Sequence, residues 1–329
     1  MWTPAPWWLP GGHAQTIWPA LFSRPSSPSM PLHWQRERWQ TPDQDFIDID
    51  WLPAAESANE APLLVLFHGL EGSSQSHYAK ALAHATQRRN WTLAVVHFRG
   101  CSGELNHAPR AYHSGDSQEI DWILRRMQTH TQGPRYAIGV SLGGNALMRW
   151  AGETAKQASP CVQAVASVCA PLDLVASGMA LGKGWNRYLY TPMFLRTMKR
   201  KAKAKWQQHP GRFDLQRALR ARTLFEFDDA FTAPVHGFAG VMDYWQRASA
   251  KPLLHQVAIA ALVLHARNDP FVPAQSWPQP SEISETVTLW QPEHGGHVGF
   301  ASGRFPGELS DMPERIMNWF SEQHTQHHG

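Results

Sequence analysis

Cysteine is scarce in this chain: Cys101, Cys161 and Cys169 are the only three among 329 residues. An odd, small number cannot build a disulfide framework, which fits a reducing compartment and makes the cytoplasm the expected location. Long apolar runs are lacking as well. No stretch approaches the roughly 20 apolar residues that a membrane-spanning helix needs. The first ten residues hold three tryptophans and three prolines but no cationic start followed by an apolar run, so no secretory leader is expected. Charge of one sign is not in excess, with 30 Lys and Arg against 27 Asp and Glu. A net charge of +3 without strong clustering does not point to a nucleic-acid partner. Gly-x-x-x-x-Gly-Lys-Ser/Thr is absent, as is a Gly-x-Gly-x-x-Gly after a strand, which excludes the familiar nucleotide loops. His-Glu-x-x-His is missing too, and His294 with His297 has no third candidate ligand nearby, so neither a metal nor another cofactor is expected.

What the chain does have is apolar material, 43% of its residues, enough to bury a large core. Pro62-Leu-Leu-Val-Leu-Phe67 is a continuous apolar run, as a strand buried on both faces requires, and residues 91–98 repeat it. Residues 136–140, 164–169, 260–265 and 287–289 supply further strands, while 76–89, 115–129 and 313–323 read as helices. Alternation of this kind predicts an α/β fold with a mostly parallel, doubly wound sheet of about eight strands. Residues 33–40 and 45–52 alternate as an antiparallel pair around Thr41-Pro42-Asp43. Residues 54–61 read as a surface loop.

The strand and helix alternation breaks between 172 and 251, where helix-like aromatic stretches take over. The expected organisation is a core of residues 1–171 and 252–329 with a helical cap inserted at 172–251. Residues 1–31, rich in Pro and Trp, show neither helical nor strand periodicity and read as an ordered arm packed on the core. The cluster Lys199 to Lys205 reads as a solvated helix face, with transient contact to an anionic lipid surface as the alternative.

Chemistry is concentrated around Ser141. The stretch Tyr136 to Trp150 joins a buried-strand pattern to a helix pattern through Gly139-Val140-Ser141-Leu142-Gly143. In that arrangement a serine sits on a cramped strand-to-helix turn with its hydroxyl exposed above the sheet. The hydroxyl attacks an ester at neutral pH only when a base removes its proton, a task that suits imidazole. Proteins with this turn carry serine, acid and histidine in that chain order. Asp269 follows the late strand 260–265, and His297 follows the last strand and precedes the terminal helix. His294 is the competing base; Asp173, Asp228 and Asp229 are the competing acids. An oxyanion needs donors already aimed at it, and the N–H of Leu142 is one. The N–H of Leu70, in the glycine-rich turn His68 to Ser74, is the expected second. Arg99, His68 and Glu71 stand in loops on the same side and are candidates for substrate contact. Arg99 suits equally well an ion pair with Asp116 or Glu119 that holds its loop. Cys101 is a weaker candidate, as a reactive thiol.

These stretches carry a resemblance. Gly12-His13-Ala14-Gln15-Thr16, His68 to Ser73, Phe98 to Gly103, Tyr112 to Gly115, Gly139 to Asn145, Asn268 to Phe271 and His294 to Phe300 together resemble the YheT-type α/β hydrolases and the related abhydrolase-domain esterases and lipases. The resemblance implies an α/β-hydrolase fold, a charge relay of Ser141, Asp269 and His297, and carboxylic esters as substrates. The expected function is a serine hydrolase of short- or medium-chain acyl esters, acylglycerols included, acting on a small-molecule or lipid ester through an acyl-enzyme. Acyl transfer to an alcohol with the same triad is the alternative, followed by a non-catalytic binding protein on this fold. No role for Gly12 to Thr16 follows from the sequence.

Overall fold

β-Branched and leucine-rich runs form the strands, and their alternate side chains enter two different layers. In the computed structural model, which describes residues 2–23, 31–56 and 59–328 (324–328 as backbone only), eight strands make one sheet. They are β1 (Gln35–Gln40), β2 (Phe46–Leu52), β3 (Leu63–Phe67), β4 (Thr92–His97), β5 (Arg135–Val140), β6 (Ala164–Val168), β7 (Ala260–Leu264) and β8 (Val287–Trp290). Their order is β1-β2-β4-β3-β5-β6-β7-β8; β2 is antiparallel to both neighbours and all other pairs are parallel. Residues 24–30 of the expected arm and 57–58 of the expected surface loop lie outside the described residues.

Leu63, Val65 and Phe67 point to one face of β3, Leu64 and Leu66 to the other, as the two-residue period of a strand demands. The first set packs with Ile120, Ile123 and Leu124 of α3 (Ser117–Met127) and with Leu147 and Trp150 of α4 (Leu142–Thr154). The second packs with Ala79 and Leu82 of α2 (His77–Arg88) and with Ile316 and Phe320 near the C-terminus. The sheet is thus covered on both faces, and the loops at the carboxyl ends of its parallel strands come to one rim, where open α/β sheets bind ligands.

One departure from the sequence reading bears on that rim. Gly11–Leu21 is a helix, α1, inside the stretch read as lacking periodicity. Its buried residues are Gln15, Thr16 and Pro19, two of them polar, so burial follows no hydrophobic period that the sequence shows. Between β6 and β7 run helices from Leu174 to Ala248, including α5 (Leu174–Leu181), α6 (Gly184–Leu189), α7 (Thr191–Gln208) and α8 (Val241–Ala248). They share a small core of Leu195, Phe227, Phe231 and Trp245. Asn145 of α4, fully buried, ties the end of this block to the sheet layer, donating to the carbonyls of Ser114 and Ala248 (both 2.8 Å) and accepting from Ala250 N–H (3.0 Å).

The cluster on α7 faces inward more than the sequence suggests. Lys205 is 2% exposed and donates to the carbonyls of Asn106 (2.5 Å) and Ala108 (2.6 Å). Lys199 donates to the carbonyl of Ala221, and Lys201 pairs with Glu71 at 2.8 Å. Only Arg200 and Lys203 of the run are exposed, so the run as a whole is not the solvated helix face read from the sequence.

Candidate active site

β5 ends at Val140 and α4 begins at Leu142, so Ser141 alone must turn the chain. It does so at φ 52°, ψ −119°, a conformation that costs a non-glycine residue about 1–3 kcal/mol. The turn closes because the neighbours lack side chains. A Cβ on Gly139 would stand 2.5 Å from the carbonyl oxygen of Gly143, and one on Gly143 would stand 2.4 Å from that of Phe67.

Ser141 Oγ lies 2.9 Å from His297 Nε2, and His297 Nδ1 lies 2.9 Å from Asp269 Oδ2. The carboxylate has no accessible side-chain surface, and its other oxygen accepts the N–H of Phe271 at 2.7 Å. Accepting at Asp269 puts a proton on Nδ1 and leaves Nε2 with a lone pair toward the serine hydroxyl. Residues from three separate loops, 156 and 28 positions apart in sequence, therefore meet in one chain of hydrogen bonds.

Leu142 and Leu70, the expected backbone donors, both line the cavity beside Ser141. Leu142 opens α4, so its N–H has no carbonyl one turn back within the helix. The loop carrying Leu70 rests against the serine, a Cβ on Gly69 falling 3.2 Å from that of Ser141. The peptides before and after the one that carries the Leu70 N–H are pinned. Gly69 N–H donates to Tyr78 Oη and Glu71 N–H to Tyr112 Oη, each at 2.9 Å.

A strained serine turn between a strand and a helix, with a serine–histidine–aspartate hydrogen-bond chain above a mostly parallel sheet, is the arrangement expected of α/β hydrolases. A family model described as the alpha/beta hydrolase fold matches residues 62–303. This chain belongs to that family. The hydrolase is 39% identical to YheT of Escherichia coli, named as a candidate esterase, over 94% of this chain and 90% of YheT. It is 25% identical to phospholipase ABHD3 of Homo sapiens over 97% of this chain and 78% of the relative. Among solved structures, the Pyrococcus furiosus esterase Pf2001 superposes with a TM-score of 0.55 at 12% identity, covering 88% of this chain and 90% of that one, a likeness of fold alone.

In this hydrolase the N-terminal helix α1 acts as a bracket on the two loops that carry Asp269 and His297. Gln15 Oε1 accepts from Asn268 Nδ2 (2.8 Å) and from Gly295 N–H (2.9 Å), and its amide donates to Leu9 O. Thr16 Oγ1 accepts the N–H of His297 itself at 2.8 Å and donates to Gly12 O. Contact is so close that a Cβ on Gly12 would lie 1.9 Å from Asn268 O, and one on Gly299 would lie 1.8 Å from Gln15 O. From the opposite side, His77 Nε2 donates to Val298 O at 3.0 Å. Gln15 and Thr16 are the site-supporting residues that sequence reasoning missed. Their only signal was the Gly12 to Thr16 match, since the partners lie some 250 to 280 positions away.

The remaining candidates separate cleanly. His68 is fully buried; Nδ1 donates to Gly69 O (2.7 Å) and Nε2 accepts Phe98 N–H (3.1 Å). Burial pushes its pKa down to about 3, so it is a neutral ring that shapes the Leu70 loop and does not line the cavity. Arg99 lines the cavity but is committed to Glu119 (2.6 Å), Asp43 and Asp45 (both 2.8 Å), the ion pairing that holds its loop. Asp116 pairs with Arg110 instead of Arg99. Glu71 lines the cavity beside Ser141 but is held by Tyr112 Oη (2.7 Å) and Lys201 Nζ. Burial raises the Cys101 thiol to about 11, which removes the thiolate a reactive cysteine needs. His294 is exposed; Asp173 caps α5 through Ala176 N–H (3.0 Å), and Asp229 pairs with Arg217. Asp228 lines the cavity away from the hydrogen-bond chain. Cys169, Asp269 and His297 offer ligand atoms within 4.8 Å of one another. His297 Nδ1 cannot both donate to Asp269 and coordinate an ion there.

Above Ser141 opens a cavity of about 1070 Å³, part of it open solvent, roofed by the inserted helices. Leu70, Leu142, Leu174, Leu181, Phe194 and Phe271 make much of its wall, an apolar surface suited to a hydrocarbon chain.

Proposed function

We propose that this hydrolase cleaves carboxylic esters of short- or medium-chain acyl groups, acylglycerols among them, through an acyl-enzyme on Ser141. The observation that carries the reading is the unbroken bond chain from Asp269 through His297 to Ser141, at 2.9 Å for each link, facing an apolar cavity. Esterase and phospholipase names among the relatives support the same substrate class.

Ser141 Oγ attacks the ester carbonyl while His297 Nε2 takes its proton, and Asp269 stabilises the imidazolium. The carbonyl π pair moves onto oxygen, where the N–H groups of Leu70 and Leu142 receive it. Collapse of the tetrahedral species breaks the bond to the alcohol, which leaves with the proton from His297. Water then repeats the sequence in reverse: His297 takes its proton, hydroxide adds to the acyl carbon, and the carboxylic acid departs as Ser141 regains its hydrogen.

Fluorophosphonate labelling of wild type and Ser141→Ala, paired with a chain-length series of nitrophenyl esters, tests the reading. Labelling and hydrolysis should both vanish in the variant; a variant that still labels sinks the assignment of Ser141.

A further inference from the structure

The cavity wall is not apolar throughout. His113, Ser177, Asp228 and Tyr244 line it together with Ser141, and the ester chemistry leaves all four unused.

Asp228 is half-buried and lines the cavity. Its Oδ1 accepts from Thr232 Oγ1 (2.6 Å) and its Oδ2 from Trp245 Nε1 (2.9 Å), which leaves each oxygen further acceptor capacity. No cation is among the groups that act on it, and burial raises its pKa to about 6. It begins a π-helical turn, Asp228–Thr232, a distortion that recurs at functional sites.

The neighbours supply donors. Tyr244 Oη accepts Ser114 N–H at 3.0 Å, so its own hydrogen is left for an acceptor. His113 Nδ1 accepts Gly115 N–H at 3.2 Å, and burial keeps the ring neutral by pushing its pKa down to about 3. Its hydrogen therefore sits on Nε2. The two rings lie 5.7 Å apart. Ser177, 2% exposed, has an Oγ with no hydrogen-bond partner among the described residues. It sits on α5 next to Gly178, where a Cβ would come within 2.4 Å of the Trp245 ring, the same ring that holds Asp228. A buried hydroxyl without a partner is destabilising unless a ligand provides one.

We propose that this wall is a polar subsite for a hydroxyl group of the substrate, so that the enzyme selects hydroxylated esters over plain alkyl esters. The assignment rests on the ester-hydrolase reading above. A hydroxyl donates to Asp228 or Ser177 and accepts from Tyr244 or His113. A carboxylate would face Asp228, and a quaternary ammonium could accept no hydrogen bond from His113 or Tyr244. Neutral groups that both give and take a hydrogen are what the wall fits.

The test measures kcat/KM on matched pairs of nitrophenyl and alkyl esters across a chain-length series. One member of each pair carries a terminal hydroxyl, on the acyl chain in one set and on the alcohol in the other. At the length that reaches the wall, the hydroxylated ester should gain about tenfold, the worth of a well-made hydrogen bond. Ser177→Ala, which removes an unbonded group, and Asp228→Asn should each erase most of that gain, with fluorophosphonate labelling of Ser141 reporting that the variants are folded. No gain at any length in either set, or a gain untouched by both substitutions, overturns the subsite. Loss of labelling and of all ester turnover in wild type would overturn instead the esterase reading beneath it.

Discussion

Thr16 shows how much of the site depends on single hydrogen bonds from outside it. Its Oγ1 receives the N–H of His297, so Thr16→Val leaves that N–H unpaired in a half-buried loop, a cost of about 1–3 kcal/mol that the loop can relieve only by moving the imidazole. Steady-state kinetics should show kcat down by about tenfold with KM little changed, and Thr16→Ser should restore it; a Thr16→Val enzyme with full kcat would remove the residue from the positioning network. Asp269→Asn is a harsher change, because an amide cannot orient the same tautomer. Its kcat should drop by about three to four orders of magnitude while labelling geometry at Ser141 persists. The three residues of the bond chain were legible from the sequence because chain order and strand ends restrict where such residues stand. Thr16 and Gln15 were not, since buried polar residues follow no hydrophobic period that a sequence shows.

At the scale of elements, α1 and the histidine loop interlock by backbone contact. Gly12→Ala and Gly299→Ala each place a methyl inside 2 Å of a carbonyl oxygen, Asn268 O at 1.9 Å and Gln15 O at 1.8 Å. Neither neighbour is a flexible side-chain end, so each substitution should cost about 3 kcal/mol or more and reduce turnover by displacing His297. Urea unfolding of the two variants checks the first expectation. Helix α7 offers a contrast between residues of one type. Lys205→Ala strips two carbonyls of their donor and a buried stem of its packing, a loss of about 2–3 kcal/mol. Lys203→Ala, on the exposed side, should stay within about 0.5 kcal/mol. Equal midpoints for both would contradict the inward orientation of the cluster. From sequence the run is one cationic stripe; which lysines turn inward depends on the carbonyls of Asn106, Ala108 and Ala221, which no local pattern announces.

For the whole molecule, buried histidines set the acid limb of stability. Burial lowers the pKa of His68 and His113 to about 3 and of His265 to about 4. The unfolded chain, with these groups at about 6.5, then binds more protons than the folded one below that pH, and folding stability falls as pH drops. Each group contributes about 1.4 kcal/mol per pH unit until its folded pKa is reached. Asp43 acts later. Burial pushes its carboxyl up, but hydrogen bonds from Arg99 and Thr41 outweigh this and hold it at about 2, so its stabilisation is lost only below about pH 3.8. The urea midpoint should therefore decline steadily from about pH 6.5 to about pH 4, and His265→Leu, which removes a ring whose nitrogens have no hydrogen-bond partners among the described residues, should flatten that decline. A midpoint constant over this range would show that the histidines are not buried as neutral groups.

Read on its own, the sequence determined the sheet and the order of its chemistry. Runs such as Leu63 to Phe67 can satisfy their backbone and apolar side chains only as central strands, and a serine between Gly139 and Gly143 has few alternatives to a tight turn. Local pattern suffices there because the physics is local, one strand period or one turn. Tertiary structure decided what holds the site and what it faces: the bracket of Gln15 and Thr16, the engagement of Arg99 and His68, and the polar wall of His113, Ser177, Asp228 and Tyr244. Each is a meeting of segments far apart in the chain, where the deciding quantity is a distance between hydrogen-bonding atoms, and that distance comes into being only when the sheet has brought its loops to one rim.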